Sequence, residues 1–499
     1  MAVKKKLDEQ SVYSLTEDEV RLKKVKQMIG QGRNPWPYYE PVSSTCKQVI
    51  KDFEKKISDL TEYTLAGRLM SVREHGKTIF ANIQDRSGNI QLYIRENDLG
   101  EERFKYFQNM IDLGDIIWVK GSVFKTKMGE ITLKVQNLKL LSKCLHPLPD
   151  KFHGLVDIEQ KYRQRHLDLI SNSESKEKFI RRSKIVQSIR EFLLNKDFLE
   201  VETPMLHPIA GGAMAKPFVT HHNAYDMDLF LRIAPELYLK RLVIGGLERV
   251  FEINRNFRNE GVSTKHNPEF TTLEFYMAHG DYKDGMELTE KLINFVVKKI
   301  FGTNKIRYQN MEIDFSAPFK RLTVEESLIQ LGGFLADQIS EKNIDKTMHR
   351  HAIEIGKHAG YGAKLFALFE QRVENKLIQP TFIIGYPVEV SPLAKRDEKN
   401  SEITARFELF VAGMELANGF TELNDPFDQA ERFRQQVQAK AAGDQEAQDY
   451  DQDYIKALEY GLPPTVGVGI GIDRLVMFLT DTPSIKDVIL FPTMKKIEE

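Results

Sequence analysis

Cysteine is nearly absent. Cys46 and Cys144 are the two cysteines in 499 residues, and they form no CxxC pair. That argues against a disulfide framework or a cysteine-built zinc site, and makes a reduced cytoplasm the expected compartment. Charge of one sign is missing as well. Lys plus Arg number 71 and Asp plus Glu 72, so no global field draws in nucleic acid, and RNA contact has to come from local patches. Long apolar runs are lacking. The best stretch, Val466 to Leu479, is broken by Asp473 and Arg474, short of the roughly 18 apolar residues that a membrane span needs. Lys4, Lys5 and Lys6 lead into no apolar stretch, so no secretory signal is expected. Neither GxGxxG opening a βαβ unit nor a P-loop ending in GK[ST] occurs, which removes two common nucleotide folds.

What is present is length and an ordinary globular composition, 41% apolar and 29% charged. Roughly two to four domains are expected, with no membrane segment. Residues 1–60 read as an N-terminal helix and linker. The helix covers 16–30, with Thr16 as N-cap, Glu19 three residues on and Gly30 as its stop. Its Arg21, Lys23, Lys24 and Lys26 offer a basic face for RNA phosphates or for solvent. Residues 61–146 read as five short strands with a helix before the fourth, a small Greek-key barrel of the OB type. A helical, charged linker covers 147–180. From 181 to 499 helices and strands alternate without a βαβ rhythm, which predicts α+β with an antiparallel sheet flanked by helices. Residues 320–380 read as a helical insertion, and 429–455 as a solvated surface helix.

Three stretches carry polar chemistry. In RVFEINRNFRNE (249–260), alternation puts Phe251, Ile253 and Phe257 on one face and Glu252, Asn254, Asn256 and Arg258 on the other. The return strand EFTTLEFYMA puts Phe270, Thr272, Glu274 and Tyr276 together, and the connector holds Lys265, His266 and Asn267. The face is either a plain solvated one or a site. PPTVGVGIGIDRLVMFL (463–479) reads as a small-residue strand entering a helix with Arg474 in its first turn, placed for a polyphosphate. In RFELFVAGMELANGFTELND (406–425), an Ala412-Gly413 turn sets Glu408 opposite Ala417, with Glu415 on the same face. These two carboxylates, with no lysine nearby, suit Mg2+ on a phosphate. Strict alternation puts Glu422 on the other face, so a bulge at Gly419 is expected to re-aim it.

Together these stretches resemble the class II aminoacyl-tRNA synthetases, and within them the bacterial type of lysyl-tRNA synthetase. FLLNKDFLEVETPML (192–206) is similar to motif 1, with Pro204 at its end. Phe257-Arg258-Asn259-Glu260 with its loop and return strand is similar to motif 2, and GVGIGIDRL (467–475) to motif 3. QKYRQRHLDLI, RIAPELYLKRL, NEGVSTKHNPEFT and ELANGFTELNDP carry the likeness to the lysine enzymes, with His166 a small departure. The resemblance implies ATP-dependent activation of L-lysine and its transfer to tRNA(Lys). It implies that Arg258 bridges the lysine carboxylate and the α-phosphate, that Glu260, His266 and Asn267 hold ATP, and that Phe270 stacks on adenine with Arg474 on its other face. Glu408 and Glu415 would carry Mg2+. Glu236 and Gly212 would hold the α-amino group, Glu422 and Tyr276 the ε-ammonium, with Glu274 and Asn418 completing the pocket. Arg68, Phe80 and Gln91 on the barrel would read the anticodon. A homodimer through motif 1 is implied. An aspartyl- or asparaginyl-tRNA synthetase, a paralogue that lysylates protein, and an RNA-binding protein with a dead catalytic domain are the alternatives.

Overall fold

The computed structural model describes residues 16–55, 62–149, 155, 157–356, 359–441 and 447–497. The chain divides into two compact units, Met1–Leu155 and Val156–Glu499.

In the first unit, β1 (Tyr63–His75), β2 (Thr78–Gln84), β3 (Asn89–Arg95), β4 (Ile116–Lys125) and β5 (Ile131–Ser142) close a barrel in the order β1-β2-β3-β5-β4. Alternation fills it: Ile79, Ala81 and Ile83 of β2 and Ile90, Leu92 and Ile94 of β3 are buried together. Phe80 and Gln91 therefore point outwards. A helix, Glu101–Met110, precedes β4. The N-terminal helix is Glu17–Gly30, with the Thr16–Glu19 capping box formed. It ends at Gly30 as expected, and two residues on Gly32 takes φ 69° while Arg33 N donates to Met28 O at 2.9 Å. Its basic face is also smaller than expected. Arg21 is buried and donates to the carbonyls of Leu113, Cys144 and His146, and Lys24 pairs with Asp112 at 2.6 Å. These two cations dock the helix, which leaves Lys23 and Lys26 exposed.

The second unit is built on further strands: β6 (Leu199–Glu200), β7 (Leu206–His207), β8 (Val219–His222), β9 (Met227–Leu231), β10 (Arg249–Phe257), β11 (Glu269–Ala278), β12 (Lys305–Tyr308), β13 (Met311–Asp314), β14 (Lys320–Thr323), β15 (Thr381–Ile384), β16 (Arg406–Val411), β17 (Met414–Thr421) and β18 (Thr465–Gly471). Eight of them form one sheet, ordered β14-β15-β16-β17-β18-β11-β10-β6. It is antiparallel except at its two edges, where β14 runs parallel to β15 and β6 to β10. The apolar face of the central strands packs on the long helices Ser173–Leu194 and Tyr282–Phe301 through Ile189, Leu193, Phe251, Leu273, Phe275, Ile293 and Val297. The opposite, polar face is left for the site.

One expectation is located in the fold and another changes. The segment 320–380 read as a helical insertion runs from β14 to the start of β15, which are neighbours in the main sheet. Its helices carry a core of their own around Leu328, Phe369, Tyr386 and Phe410. The stretch expected as a solvated helix is two helices with one buried face each. Pro426–Ala441 buries Ala430, Arg432 and Phe433, and Gln452–Leu458 buries Tyr454, Ile455 and Leu458. Phe433 and Tyr454 share a cluster with Leu237 and Leu239 of the helix Glu236–Ile244, so they back the pocket described next.

Candidate active site

A cleft with an empty volume of about 1160 Å³, open to solvent, lies on the polar face of β10, β11, β18 and β17. Pairing register explains its floor. Glu274 stands opposite Gly469, and Gly469 opposite Asn418; Tyr276 stands opposite Gly467, and Gly467 opposite Phe420. Each row therefore has a glycine between two side chains, and the missing side chains open a trough. Gly467 is the strict case. A Cβ there would lie 2.1 Å from Glu422 Oε1 and 2.4 Å from the Tyr276 ring.

At one end three acids converge: Glu236, Glu274 and Glu422, each buried. The Tyr276 hydroxyl donates to Glu274 Oε2 at 3.2 Å. Burial, reinforced by Glu236, pushes the Glu274 carboxyl up to about 8. Burial also raises Glu236 and Glu422, against the pull of Lys240. Lys240 is a fully buried lysine that the sequence reading passed over. Its Nζ lies 2.6 Å from Glu236 Oε1 and makes an ion pair with Glu422 Oε2. Glu422 Oε1 has no hydrogen-bond partner among the described residues. Gly212 borders this end in a left-handed conformation, φ 90°, and Ala213 lies beside it in the cleft wall.

The orientation of Glu422 does not come from a bulge at Gly419. Gly419 sits in regular register against Phe407 and Val468, and a Cβ on it would strike the Phe407 ring at 2.6 Å. The irregularity is at Leu416: Phe410 pairs with Glu415 and Leu409 with Ala417. One extra residue there reverses the alternation, so Glu415 shares the cleft face with Asn418, Phe420 and Glu422. The same shift puts Glu408 opposite Asn418, not Ala417. The Ala412-Gly413 turn itself forms as expected, with φ 50° and 71°.

The other end is cationic and aromatic. Arg258 stands over the Phe270 ring at 5.1 Å, and its Nε is buried without a partner. Arg474, in the first turn of the helix Ile472–Leu479, donates to Glu415 O at 2.6 Å and to His266 Nε2 at 3.2 Å. A guanidinium only donates, so His266 Nε2 accepts and the imidazole proton sits on Nδ1, 3.0 Å from Ser263 Oγ. Burial, then the Arg474 charge, lowers the His266 pKa, in keeping with a neutral ring. Glu260 and Asn267 line the same end, and Asn267 Oδ1 is buried and unpartnered. Behind them Asp473 accepts from Thr271 N at 2.7 Å and pairs with Arg182 at 2.6 Å, which locks the glycine strand's helix to β11.

Glu408 and Glu415 are not the unpaired carboxylates expected. Glu408 is buried outside the cleft wall, bound by Arg406 at 2.5 Å and by the Tyr386 hydroxyl at 2.8 Å. Glu415 lies 3.3 Å from Arg474. Among the described residues, no group of three or more His, Cys, Asp or Glu is arranged to hold a metal ion.

On the barrel, Arg68, Phe80 and Gln91 share the outer surface of β1, β2 and β3. Phe80 meets Tyr93 at 5.2 Å with the rings tilted by 50°, and Tyr93 meets Phe124 edge to face at 5.6 Å. Gln91 is held by Glu130 and Thr132, each at 2.8 Å, and Arg68 donates to Gly114 O at 2.7 Å. Tyr93 and Phe124 extend the aromatic strip and were not anticipated, although the Phe80–Tyr93 pairing follows from β2–β3 register. Lys240 too had a readable signal, its i,i+4 spacing from Glu236.

Comparison with known proteins agrees with this layout. The family described as "tRNA synthetases class II (D, K and N)" matches residues 157–495, and the "OB-fold nucleic acid binding domain" matches 63–141. The lysine–tRNA ligase of Carboxydothermus hydrogenoformans is 53% identical over 96% of this chain and 97% of its own length. That of Staphylococcus epidermidis is 51% identical over 96% and 98%, and that of Nitrosomonas europaea 56% over 87% and 86%. A synthetase match over most of the chain, joined to full-length relatives above half identity, places the chain in the lysine–tRNA ligase family of class II synthetases.

Proposed function

We propose that the protein activates L-lysine with ATP and transfers it to tRNA(Lys), releasing AMP and pyrophosphate. The observation that carries the lysine choice is the end of the cleft where Glu236, Glu274 and Glu422 are buried with Lys240 as their close cation. Buried carboxylates without enough positive charge are costly, and an incoming ammonium offsets that cost. An aspartate or asparagine side chain would bring no charge to match. The barrel argues against a protein-lysylating paralogue. The converged Arg258, Glu415 and Arg474 argue against a dead catalytic domain.

In this reading Glu422 and Tyr276 take the ε-ammonium, Glu236 and the Gly212 backbone the α-amino group, and Glu274 and Asn418 the space between. The lysine carboxylate points to Arg258, which leaves the face of Phe270 to adenine and turns to the α-phosphate. Arg474 covers the other adenine face and reaches the γ-phosphate; Glu260, His266 and Asn267 hold the rest of ATP. A carboxylate oxygen of lysine attacks the α-phosphorus in line as the bond to pyrophosphate breaks. The tRNA's terminal ribose hydroxyl then attacks the lysyl carbonyl and AMP leaves. Neither step needs a protein nucleophile; alignment and charge stabilisation suffice.

Glu408 and Glu415 fit Mg2+ by donor chemistry. Both offer carboxylate oxygens, and burial, with the Glu415 charge adding to it, pushes Glu408 up to about 7 despite Arg406. Glu374 is likewise pushed up to about 7, by burial and then by Glu370, Glu408 and Glu415. Arg406 already pairs with Glu408 and Arg474 with Glu415, so an ion here would share these carboxylates with the two guanidiniums. The ion, with one or two carboxylates and phosphate oxygens as ligands, would neutralise phosphate charge. On the barrel, Phe80 stacks on an anticodon base, Gln91 bonds a base edge and Arg68 assists. The cytoplasm is the proposed compartment. Among the described residues no helix is long and apolar enough to cross a membrane. A homodimer through 192–206 would cover the exposed Leu194, Leu199, Met205 and Leu206, and sedimentation at micromolar concentration reads it.

ATP–pyrophosphate exchange across the amino acids tests the function. Exchange is expected with lysine. Exchange driven by aspartate or asparagine and not by lysine would overturn the reading.

A further inference from the structure

Lys240 is spent inside the protein, in a site proposed to bind lysine. Its side chain is wholly buried. Nζ lies 2.6 Å from Glu236 Oε1, pairs with Glu422 Oε2, and stands over the rings of Phe420 and Tyr454 at 5.5 and 5.9 Å. No Lys240 atom lines the cleft, whereas Glu236 and Glu422 do. Each of these carboxylates thus has one side on Lys240 and another on the cleft. For Glu422 the cleft side is Oε1, which is unpartnered and hangs over Gly467.

Charge counting gives this a purpose. Glu274 holds a proton in the empty cleft and gives it up beside an ammonium, so with substrate bound Glu236, Glu274 and Glu422 against Lys240 leave two negative charges. Glu252, nearby, is already matched by Arg232 at 2.7 Å. A lysine substrate carries two ammonium groups, and its carboxylate faces Arg258. With Lys240 in place the pocket is therefore short by the two charges that this substrate supplies. Without it, burial would drive the acids to hold protons, and a substrate ammonium would have to displace them.

We propose that Lys240 is a positioning residue for substrate selection: a built-in counter-ion that keeps Glu236 and Glu422 ionised and holds each at a fixed angle to receive a separate ammonium group of the substrate. This rests on the lysine reading above. Burial works against all three charges: it raises the Glu236 and Glu422 carboxyls while Lys240 pulls both down, and it works against the Lys240 charge while Glu236 and Glu422 hold that charge on.

The test compares the full-length protein with Lys240→Met, which keeps the length and removes the charge, and Lys240→Arg, which keeps the charge and changes the fit. Pyrophosphate exchange is followed against lysine and against ATP from pH 6.5 to 9. For Lys240→Met the KM for lysine is expected to rise about tenfold or more at pH 7, while the KM for ATP moves less than about twofold. The loss should shrink towards pH 9, because the rise of kcat/KM for lysine with pH moves at least about one unit upwards. Lys240→Arg should raise the KM for lysine yet keep the parent's pH profile. A purely structural lysine would lower yield or melting temperature in both variants and shift neither profile, and that result overturns the proposal. If Lys240→Met does not fold, a Lys240→Arg profile displaced like that of an uncharged variant overturns it as well. The parent is measured first. Failure to exchange with lysine there would remove the functional reading itself, whereas a lysine-dependent parent with indifferent variants removes this inference alone.

Discussion

Glu274 shows what burial does to a single side chain in the pocket. Its carboxyl is pushed up to about 8 by burial and then by Glu236, so at neutral pH it holds a proton in the empty cleft. An unfolded glutamate titrates near 4.5. The folded value is the higher one, so this group's contribution to stability is fully present below 4.5 and is lost as pH rises through about 8. An ammonium beside Glu274 favours the ionised form, so lysine binding expels the proton. The melting temperature of the free protein should therefore carry a falling component between pH 5 and 8, and the stabilisation by saturating lysine should grow from pH 6 to 8. For one proton released, affinity gains up to about tenfold per pH unit below the folded pKa. Thermal scans with and without lysine at each pH check this. A lysine-induced shift of the same size at every pH, or one that keeps its pH dependence in Glu274→Gln, would sink it.

At the scale of elements, the strand β18 shows both the reach and the limit of sequence patterning. Alternation on β10 and β11 correctly grouped Asn256, Phe270, Thr272, Glu274 and Tyr276, because an unbroken strand leaves one choice of face. The glycines of β18 were readable as room for close approach. What they make room for was not readable, because it depends on which strands flank β18. Register across β17 was harder still. A bulge costs one residue and leaves no residue-type mark: Leu416 looks like any strand leucine, whereas Gly419, which invited a bulge, is a glycine because of Phe407. Lys240 was missed for a related reason, since a lysine on a helix is read as solvated until tertiary packing buries it. The glycine argument has a direct consequence. Gly467→Ala sets a methyl 2.1 Å from Glu422 Oε1 and 2.4 Å from Tyr276, and overpacking of this kind costs about 1–3 kcal/mol. Since both contacts are pocket side chains, the KM for lysine should rise roughly five- to a hundredfold, with the KM for ATP much less affected. Exchange kinetics decide it, and equal effects on both substrates would show that the β18 glycines serve the sheet and not the pocket.

The whole molecule is two units with separate chemistries, each with its own core. The barrel was legible as a barrel because its inward residues alternate without interruption. The role proposed for its outer face rests on the family likeness, since Phe80 and Gln91 alone are unremarkable surface residues; the aromatic strip appears once β2 pairs with β3 and places Tyr93 beside Phe80. This division of labour makes a prediction that the catalytic unit alone cannot. In the proposed reading, activation of lysine uses residues of Val156–Glu499, whereas charging of tRNA also uses the barrel. Phe80→Ala removes a stacking surface worth about 1–3 kcal/mol per base from a face that carries no part of the barrel's interior. Pyrophosphate exchange with lysine should stay within about twofold of the parent, and the KM for tRNA(Lys) in aminoacylation should rise roughly five- to a hundredfold. Tyr93→Ala, one place along the strip, should reproduce part of that rise. A Phe80→Ala variant that loses exchange and charging alike would mean that the barrel acts on the catalytic unit and not on the anticodon; one that charges tRNA normally would take Phe80 out of the RNA surface.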